Sequence, residues 1–563
     1  MALVAFFGAW RQARFSLAFL AEHVILLEGW PRSFLAFSAG LVAALSLQPV
    51  NALPVLAFSF PVLVWLIDGL AVPGRKRLAM QAFAIGWCFG FGYFLAGLWW
   101  LGAAFVIGGE QFVWLLPFGV VGLPAGLAIF FGLGVLLARG LWSSGLWRVF
   151  ALAFGLGLSE LARAHVLTGF PWNGFGQAFA DHLVLAQGAS LIGAEGMGLL
   201  AIVVFAAPST LGTGRAVAAR WAMPVLAVAI LIALAVFGFM RLQPTGGSRS
   251  DLDRIAMVPD VKLRIMQPNV AQEEKNRPGS AAAILERYLQ LSDRATGPRN
   301  AGIGDVTHLF WPEAPFPFVL DREPRALEAI TARLSGGTVL VTGSIRAEEA
   351  PDQWRRFRFF NSIQVLDRNG LIGSYDKVHL VPFGEYLPLE NLLRAIGLEP
   401  FVRVIGGFSA SSGRKPLDIP GLPGSVPVIC FETIFPHELA ASVTGSAVFV
   451  NVTNDAWFGR TPGPYQHLAQ ARLRSIEFGQ PMVRAANSGI SAVIDPHGRI
   501  LASLPLDRAD VIDSPLPAGL AGTLYSETIW YSYATVMILL AALGLLGNLR
   551  DRFLAGLQWR KPN

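Results

Sequence analysis

The sequence predicts a polytopic α-helical membrane bundle of about eight spans joined to a water-facing α/β domain. Of its 563 residues, 53% are hydrophobic and only 15% are charged, whereas an average soluble protein is nearer a quarter charged. The deficit is concentrated in long stretches: residues 33–71 contain one charge, Asp68, and residues 80–137 contain one, Glu110. The later part of the chain instead alternates β-type and helical patterns, which indicates a folded domain outside the bilayer.

The predicted spans are apolar windows of about 20 residues, the length that crosses a bilayer core of roughly 30 Å. They lie at 33–49, 52–71, 80–107, 113–137, 147–164, 182–207, 221–241 and 529–548. Four charged residues interrupt the first 31 residues, namely Arg11, Arg14, Glu22 and Glu28. No small-residue cleavage pattern follows an uncharged core there, so we predict an interfacial or cytoplasmic segment rather than a cleaved signal.

These spans divide the chain into four parts. They are an N-terminal segment (1–32), a seven-span bundle (33–241), an α/β domain (242–528), and a last membrane helix with a basic tail (529–563).

The positive charges of the loops predict the orientation. Lys and Arg gather in alternate connections: Arg75, Lys76, Arg77, Arg139, Arg148, Arg215, Arg220, Arg550, Arg552, Arg560 and Lys561. The intervening loops at 49–51, 108–112 and 165–181 have none. Positive loops stay in the cytoplasm, so both termini are predicted there, and seven preceding spans place 242–528 on the opposite side of the membrane. In a bacterium, that is the periplasmic side of the inner membrane. No basic stripe interleaved with aromatics suggests nucleic acid.

Residues 242–528 are predicted to form one domain of sheets covered by helices. The β-type runs are 262–267, 306–311, 338–343, 361–367, 426–430, 447–452 and 490–495, and helical patterns occur at 281–294, 323–335, 434–443 and 464–479.

The two cysteines favour thiol chemistry over a disulfide or a metal. Cys88 falls in the third predicted span and Cys430 in the α/β domain, so they are not expected to pair. Two cysteines are too few for a thiolate zinc site, and no HExxH motif occurs among the eight histidines. We therefore expect neither a metal nor a cofactor. An idle thiol in an exported domain invites oxidation, which makes Cys430 a conspicuous residue.

Three chemically active residues each follow a β-type run: Glu313, Lys377 and Cys430. A thiol attacks as the thiolate, so it needs a base and a positive neighbour. Glu313 can take the proton, and Lys377 can hold the thiolate and then an oxyanion, with the backbone N–H of Phe431 as a second donor. Each residue alone is explained as well by a solvated loop or by core packing.

The motifs around these residues are more specific. WPEAPFP, DKVHLVPFGEYLP, CFETIFP and NVTNDAWFG resemble the Glu–Lys–Cys signature of the nitrilase superfamily. Because KVHLVPFGEYLP and NDAWFG stand between seven spans and a last one, the chain resembles that superfamily's membrane-embedded branch, the bacterial apolipoprotein N-acyltransferases. The resemblance runs from about residue 33 onward and includes LTGFPWNGFG at 167–176.

The resemblance implies an αββα sandwich that moves an acyl chain from a phospholipid to the free α-amino group of a diacylglyceryl apolipoprotein. Glu313 matches the general base, Lys377 the catalytic lysine and Cys430 the acyl-carrying nucleophile. The predicted supporting residues are Glu385, Phe431 and Glu432, and the residues expected to shape the pocket are Asn454, Asp455 and Trp457. One departure is Asn276, in QPNVAQEEKN, where the family often has an aromatic residue.

Two other functions are also compatible with parts of the sequence. A membrane-tethered amidase would share the three catalytic residues, but seven spans are excessive for a tether. A transporter or receptor would need polar helices, and the spans contain few charges beyond Glu160 and Glu195. We expect Glu160 to form a structural ion pair with Arg163, one helical turn away, and expect His379 and His467 to be hydrogen-bonded structural residues. No GxSxG motif suggests a serine enzyme.

Overall fold

The apolar first half of the chain forms closely packed helices. The computed structural model describes residues 16–71, 73–212, 217–243, 255–350, 357–389, 392, 407–440, 442–443 and 447–558. The helices before residue 243 are α1 (Leu17–Ile25), α2 (Gly29–Ala43), α3 (Leu56–Asp68), α4 (Arg75–Leu98), α5 (Gly102–Ile107), α6 (Leu123–Gly140), α7 (Arg148–His165), α8 (Leu183–Ala186), α9 (Ala189–Ala206) and α10 (Val217–Leu242). Residues 1–15, Arg215 and residues 559–563, all predicted to be cytoplasmic, lie outside the described ranges.

Within those ranges, six helical segments are long and apolar enough to cross a membrane. They are Arg75–Ile107, Phe112–Gly140, Arg148–Thr168, Ala189–Gly212, Val217–Leu242 and Tyr531–Leu554. The prediction of a polytopic bundle is therefore confirmed. The first two predicted spans are shorter helices, α2 with 15 residues and α3 with 13. Pro49 and Pro54 lie between them, and proline cannot continue a helix because it lacks the N–H group.

Glycine allows the helices of the bundle to approach closely. A Cβ atom on Gly40 of α2 would lie 1.9 Å from the carbonyl oxygen of Phe89, and one on Gly92 of α4 would lie 2.1 Å from that of Phe37. Small residues at such crossings let the two backbones touch, which is how helices gain contact energy inside a bilayer.

The expected ion pair between Glu160 and Arg163 is wrong: among the contacts of the described residues, the two side chains do not meet directly. Each binds the backbone of the loop 167–176 instead. The Glu160 carboxylate accepts a hydrogen bond from the N–H of Phe175 at 2.9 Å, and the Arg163 guanidinium donates to the carbonyls of Phe170 and, at 2.7 Å, Trp172. A buried loop needs partners for its backbone polar groups, and these two charged residues supply them.

Two sheets form the second half of the chain. The larger has the order β11–β1–β2–β3–β4–β5 and the smaller β10–β9–β8–β7–β6. The strands are β1 (Met257–Gln267), β2 (His308–Phe310), β3 (Val339–Glu349), β4 (Phe357–Asp367), β5 (Gly370–Asp376), β6 (Gly424–Ile429), β7 (Ala447–Thr453), β8 (Met482–Ala486), β9 (Ala492–Ile494), β10 (Ile500–Ser503) and β11 (Asp510–Pro517). Parallel pairing joins β1, β2 and β3 in one sheet and β6, β7 and β8 in the other.

Alternating side chains place the sheets face to face. Leu263 and Ile265 of β1 share a core cluster with Val448 and Val450 of β7, whereas Met266 packs with helical residues on the outer face. The helices of this half are α11 (Gln272–Lys275), α12 (Ala281–Ser292), α13 (Pro324–Thr331), α14 (Pro436–Ala440), α15 (Gly463–Phe478) and finally α16 (Leu524–Gln558). With α12 and α13 on one outer face and α15 on the other, the predicted helix-covered sandwich is confirmed.

Candidate active site

Cys430 lies where β6 ends and a short 3₁₀ helix, Cys430–Ile434, begins. Its backbone has φ +48°, a left-handed conformation that residues other than glycine rarely adopt. Such strain persists where the surrounding structure enforces it, and it is common at functional sites. The sharp turn holds the half-buried thiol at the carboxyl edge of the parallel strands, where open α/β sheets usually bind their ligands.

Glu432, two residues further on, fastens this turn to the loop that carries Lys377. Its side chain is fully buried. Five groups donate hydrogen bonds to its two oxygens: the N–H of Ile429 (2.8 Å), the N–H of Val378 (2.9 Å), the N–H of His379 (3.3 Å), the hydroxyl of Tyr375 (3.0 Å) and the guanidinium of Arg414 (3.0 Å). These hydrogen bonds to one carboxylate hold the turn at Cys430 and the loop of Lys377 in a fixed arrangement.

Lys377 follows β5 and is buried, with 1% of its surface exposed. Its ammonium nitrogen lies 2.9 Å from Glu385 Oε1 and 3.8 Å from Glu313 Oε1. The other oxygen of Glu385 accepts a hydrogen bond from the N–H of Val381 at 2.8 Å. Glu385 therefore fixes the lysine between two carboxylates and beside the thiol.

Glu313 follows β2 and lies against β3 at Gly343. A Cβ atom on Gly343 would come within 2.5 Å of the Glu313 Cα atom, so only glycine allows this approach. The amide nitrogen of Asn361 donates hydrogen bonds of 2.7 Å to the carboxylates of both Glu313 and Glu385. Asn361 therefore orients Glu313, the candidate base. Because the amide is neutral, it does not form an ion pair with the carboxylate.

The electrostatics of the cluster favour a neutral thiol and a charged lysine at rest. Burial, and then the charge of Glu313, raise the pKa of Cys430 although Lys377 opposes them. Burial also raises the pKa of Glu313, again against Lys377. For Lys377, burial acts to lower the pKa, but Glu385 and Glu313 outweigh it and raise the pKa. A thiol that attacks from this position would have to lose its proton as it does so, and Glu313 is the adjacent carboxylate that could accept it.

A second buried cluster supports the backbone of Cys430. His467 places Nε2 3.2 Å from the carbonyl oxygen of Cys430 and Nδ1 2.8 Å from Asp455, so His467 is hydrogen-bonded as predicted. The other oxygen of Asp455 accepts from Arg484 at 2.8 Å. Burial alone would raise the pKa of Asp455, but Arg484 and His467 lower it to about 2, and the carboxylate remains ionised.

This cluster includes a possible metal-ligand set, because ligand atoms of Cys430, Asp455 and His467 lie within 4.8 Å of one another. The chemistry does not suit a cation. Both nitrogens of His467 and both oxygens of Asp455 already have hydrogen-bond partners, and the Arg484 guanidinium would repel a metal ion. Asp455 and His467 are better explained as structural support for the turn at Cys430.

The remaining predicted residues have different surroundings. Phe431 stacks on Phe170 of the loop 167–176 with ring centroids 6.2 Å apart, so it joins the nucleophile to the bundle. Asn454 binds Gln272 at 3.2 Å, and Trp457 is half-buried on the short helix Asp455–Phe458. The Asn276 side chain is exposed at the end of α11. His379 lies with Nδ1 2.7 Å from the Glu438 carboxylate, which fits the predicted structural role.

Gln466 connects the sandwich to the bundle. Its oxygen accepts hydrogen bonds from the indole N–H groups of Trp172 (2.9 Å) and Trp100 (3.1 Å). Its nitrogen donates to the carbonyls of Gln48 (3.2 Å) and Gly97 (3.3 Å). One side chain of α15 therefore contacts three segments of the bundle, and the next residue is the His467 that holds Cys430.

Several residues of the site were not predicted from the sequence, among them Asn361, Gln466 and Lys275, whose ammonium donates to the carbonyl next to Glu313, that of Ala314, at 3.0 Å. Asn361 has a detectable signal, because it is a polar residue within an apolar strand pattern. Lys275 has none, since it follows two glutamates in a segment with the composition of a solvated turn. Gln466 is one of several polar residues on its helix.

Known protein families match both halves of the chain. The carbon-nitrogen hydrolase family matches residues 280–524, and the apolipoprotein N-acyltransferase N-terminal domain matches residues 39–207. An apolipoprotein N-acyltransferase of Rhodopseudomonas palustris is 47% identical over 94% of this chain and 98% of its own length. Those of Bradyrhizobium diazoefficiens and Agrobacterium fabrum are 48% and 42% identical, over 93% and 92% of this chain and 96% and 97% of their own lengths.

The fold and these matches define the class as a membrane-embedded protein with a carbon-nitrogen hydrolase domain. Sequence identity above 40% over more than nine-tenths of both chains also identifies the family within this class. The chain belongs to the apolipoprotein N-acyltransferase family.

Proposed function

We propose that the protein is an acyltransferase of lipoprotein maturation. It moves a fatty acyl chain from a membrane phospholipid, through a thioester on Cys430, to the α-amino group of the diacylglyceryl-cysteine that begins an apolipoprotein. The observation that carries this proposal is the buried cluster of Glu313, Lys377 and Cys430 beside a membrane bundle. Lys377 Nζ lies 3.8 Å from the Glu313 carboxylate, and Phe431 next to the thiol packs on a bundle loop. A donor ester held in the bilayer can then reach the thiol.

In the first half-reaction, Glu313 takes the proton of the Cys430 thiol as the sulfur attacks the ester carbonyl of the phospholipid. Lys377 and the backbone N–H of Phe431 stabilise the oxyanion of the tetrahedral intermediate. When the intermediate collapses, the C–O bond breaks and a C–S bond remains. The departing alkoxide of the lysophospholipid receives the proton from Glu313, which leaves the carboxylate ionised again.

In the second half-reaction, the apolipoprotein amine attacks the thioester carbonyl and loses a proton to Glu313. The C–S bond breaks, an amide forms, and the thiolate of Cys430 recovers the proton. One base thus serves both steps, and the two substrates use one site in turn. The thioester retains enough acyl energy for amide formation, so no cofactor is required by this scheme.

We further propose that the sandwich faces the periplasm and that both termini face the cytoplasm. The distribution of Lys and Arg among the loops supports this orientation. The predicted orientation is the same whether or not the two short helices α2 and α3 cross the membrane, because two further crossings return the chain to the same side. Five long segments precede residue 243, and adding both short helices gives seven, so the number of crossings is odd in either case.

The test is intact-protein mass spectrometry of the purified protein after incubation with phospholipid. We expect an added acyl mass on Cys430, its loss in Cys430→Ala, and its retention in Cys88→Ala, which removes the other cysteine. A protein that never carries the acyl mass, or a Cys430→Ala variant with near-normal turnover, would rule out the thioester scheme.

A further inference from the structure

Lys275 is a buried cation next to the candidate base. It ends the four-residue helix α11, which follows β1, and only 6% of its surface is exposed. Its ammonium nitrogen donates a hydrogen bond of 3.0 Å to the carbonyl oxygen of Ala314. Lysine is almost never buried without a specific partner, and the described partner is the residue that directly follows Glu313.

The Glu313–Ala314 turn needs such a support. Ala314 has φ +42°, in the left-handed region that alanine rarely adopts. On the other side of the turn, the N–H of Gly343 donates to the carbonyl of Pro312 at 3.2 Å. The turn is therefore held between β3 and Lys275. Release of the Ala314 carbonyl would let the backbone relax and would move the Glu313 carboxylate away from the thiol.

The charges around Glu313 point to the same role. The titratable groups that face Glu313 are Lys377, Glu385, the Cys430 thiol and Lys275. Lys377 is closer to Glu385 than to Glu313, at 2.9 Å against 3.8 Å. Without Lys275, two carboxylates would share one ammonium in a dry site. With it, two positive charges balance two negative ones.

Lys275 keeps its charge near neutral pH. Burial lowers the pKa of Lys275 to about 8, while the charge of Glu313 opposes that shift. An ammonium in this position favours the ionised form of the neighbouring Glu313 carboxylate, since an opposite charge nearby stabilises a charged group.

We propose that Lys275 is a positioning residue for the reaction: it holds the Glu313–Ala314 turn and compensates the second carboxylate of the site, so that Glu313 starts each half-reaction as a base. This inference rests on the proposed roles of Glu313 and Cys430. Lys275 contacts the base and its turn, so its effect on the reacting sulfur passes through Glu313.

The test separates the hydrogen bond from the charge with three variants, all in a Cys88→Ser background. Lys275→Arg keeps both properties, Lys275→Gln keeps a donor without the charge, and Lys275→Met removes both. The first readout is the rate of Cys430 alkylation by iodoacetamide as a function of pH, which requires neither phospholipid nor apolipoprotein. Lys262→Gln, an exposed lysine on β1, is the control.

We expect Lys275→Gln and Lys275→Met to move the midpoint of alkylation to higher pH by about one unit or more, and Lys275→Arg and Lys262→Gln to leave it in place. Acyl-enzyme formation at neutral pH should slow by about ten- to a hundred-fold in Lys275→Met, because small misplacements of a reacting group have effects of that order. It should slow less in Lys275→Gln.

An unmoved midpoint in Lys275→Gln and Lys275→Met would overturn the inference whatever the rates, because a purely structural residue changes amplitude but not the pH dependence. If Lys275→Met does not fold, Lys275→Gln and Lys275→Arg decide the matter alone. A protein that alkylates normally but never carries an acyl group would contradict the proposed function and leave the Lys275 result standing.

Discussion

Lys377 is bound more closely to Glu385 than to Glu313, with N–O distances of 2.9 Å and 3.8 Å. The two carboxylates therefore differ in how closely they bind the lysine. Glu385 anchors the ammonium, whereas Glu313 accepts a hydrogen bond of 2.7 Å from the neutral amide of Asn361. Glu313 is therefore free to gain and lose a proton without breaking a tight ion pair.

Glu385→Gln should slow acyl-enzyme formation by at least about tenfold. Glutamine preserves the shape but not the charge, so Lys377 should move towards Glu313 and weaken it as a base; an opposite charge lowers a carboxyl pKa by about 1–3 units. Single-turnover acylation measures this effect. The matched control is Glu348→Gln, an exposed residue on β3, and an equal loss in both variants would argue against the anchor role.

The acylation rate should fall on the acidic side of neutrality at a higher pH than an ordinary carboxyl group would give. Burial raises the pKa of Glu313, and the reaction needs the ionised form, so protonation during acidification removes the base. A single-turnover pH profile should show this loss, and Glu313→Gln should be slow across the range. A rate that is flat down to the ordinary pKa of glutamate, about 4.3, would contradict the assignment.

Gln466→Leu should destabilise the protein, and Gln470→Leu should not. The first change leaves the buried indole N–H of Trp172 without the acceptor that it has at 2.9 Å, which costs about 1–3 kcal/mol. Gln470 lies one turn further along α15, is equally buried, and has a side-chain nitrogen without a hydrogen-bond partner among the described residues. Thermal unfolding in detergent compares the two, and equal losses would show that Gln466 is not a specific contact.

The acyl-enzyme should persist for minutes or longer with phospholipid alone. A transferase must exclude water from its thioester, and a closed apolar site protects such an intermediate. A diacylglyceryl-cysteine peptide with a free α-amine should discharge it promptly, and N-acetylation of the peptide should prevent the discharge. Continuous release of free fatty acid, unaffected by the peptide, would instead indicate a hydrolase.

Reporter fusions test the proposed orientation. A fusion after residue 245 should be periplasmic and one at residue 563 cytoplasmic, because positively charged loops remain in the cytoplasm. A cytoplasmic signal at residue 245 would mean an even number of crossings before the sandwich.

Most of the fold was predictable because hydrophobic periodicity is a local property. All seven predicted β-type runs overlap strands, from β1 to β9. The strands that were missed are β5, β8, β10 and β11. β8 was missed because Arg484 interrupts its apolar pattern, and the partner that makes this arginine acceptable, Asp455 at 2.8 Å, lies on another element. β11 contains two aspartates and two prolines in its eight residues.

The site was predictable only where a motif marked it. Glu313, Lys377 and Cys430 lie in distinctive motifs, so they could be identified from the sequence. The sheet topology places them close together in the structure. Asn361 and Lys275 act through contacts that exist only after folding. The incorrect prediction of an ion pair between Glu160 and Arg163 has the same origin. Their helical spacing suggested the pair, but both side chains bind backbone N–H and carbonyl groups of the loop 167–176 instead.

The contacts of two adjacent residues, Gln466 and His467, connect the turn at Cys430 to the membrane bundle. Gln466 is bonded to the bundle, and His467 is bonded to the carbonyl of Cys430. Because Gln466 and His467 are neighbours on α15, a displacement of Cys430 relative to the bundle would strain or break these hydrogen bonds. Membrane thickness thereby becomes a parameter of the chemistry: in a bilayer much thicker or thinner than the native one, helix tilt would offset the mismatch and carry the thiol away from the level of the donor ester.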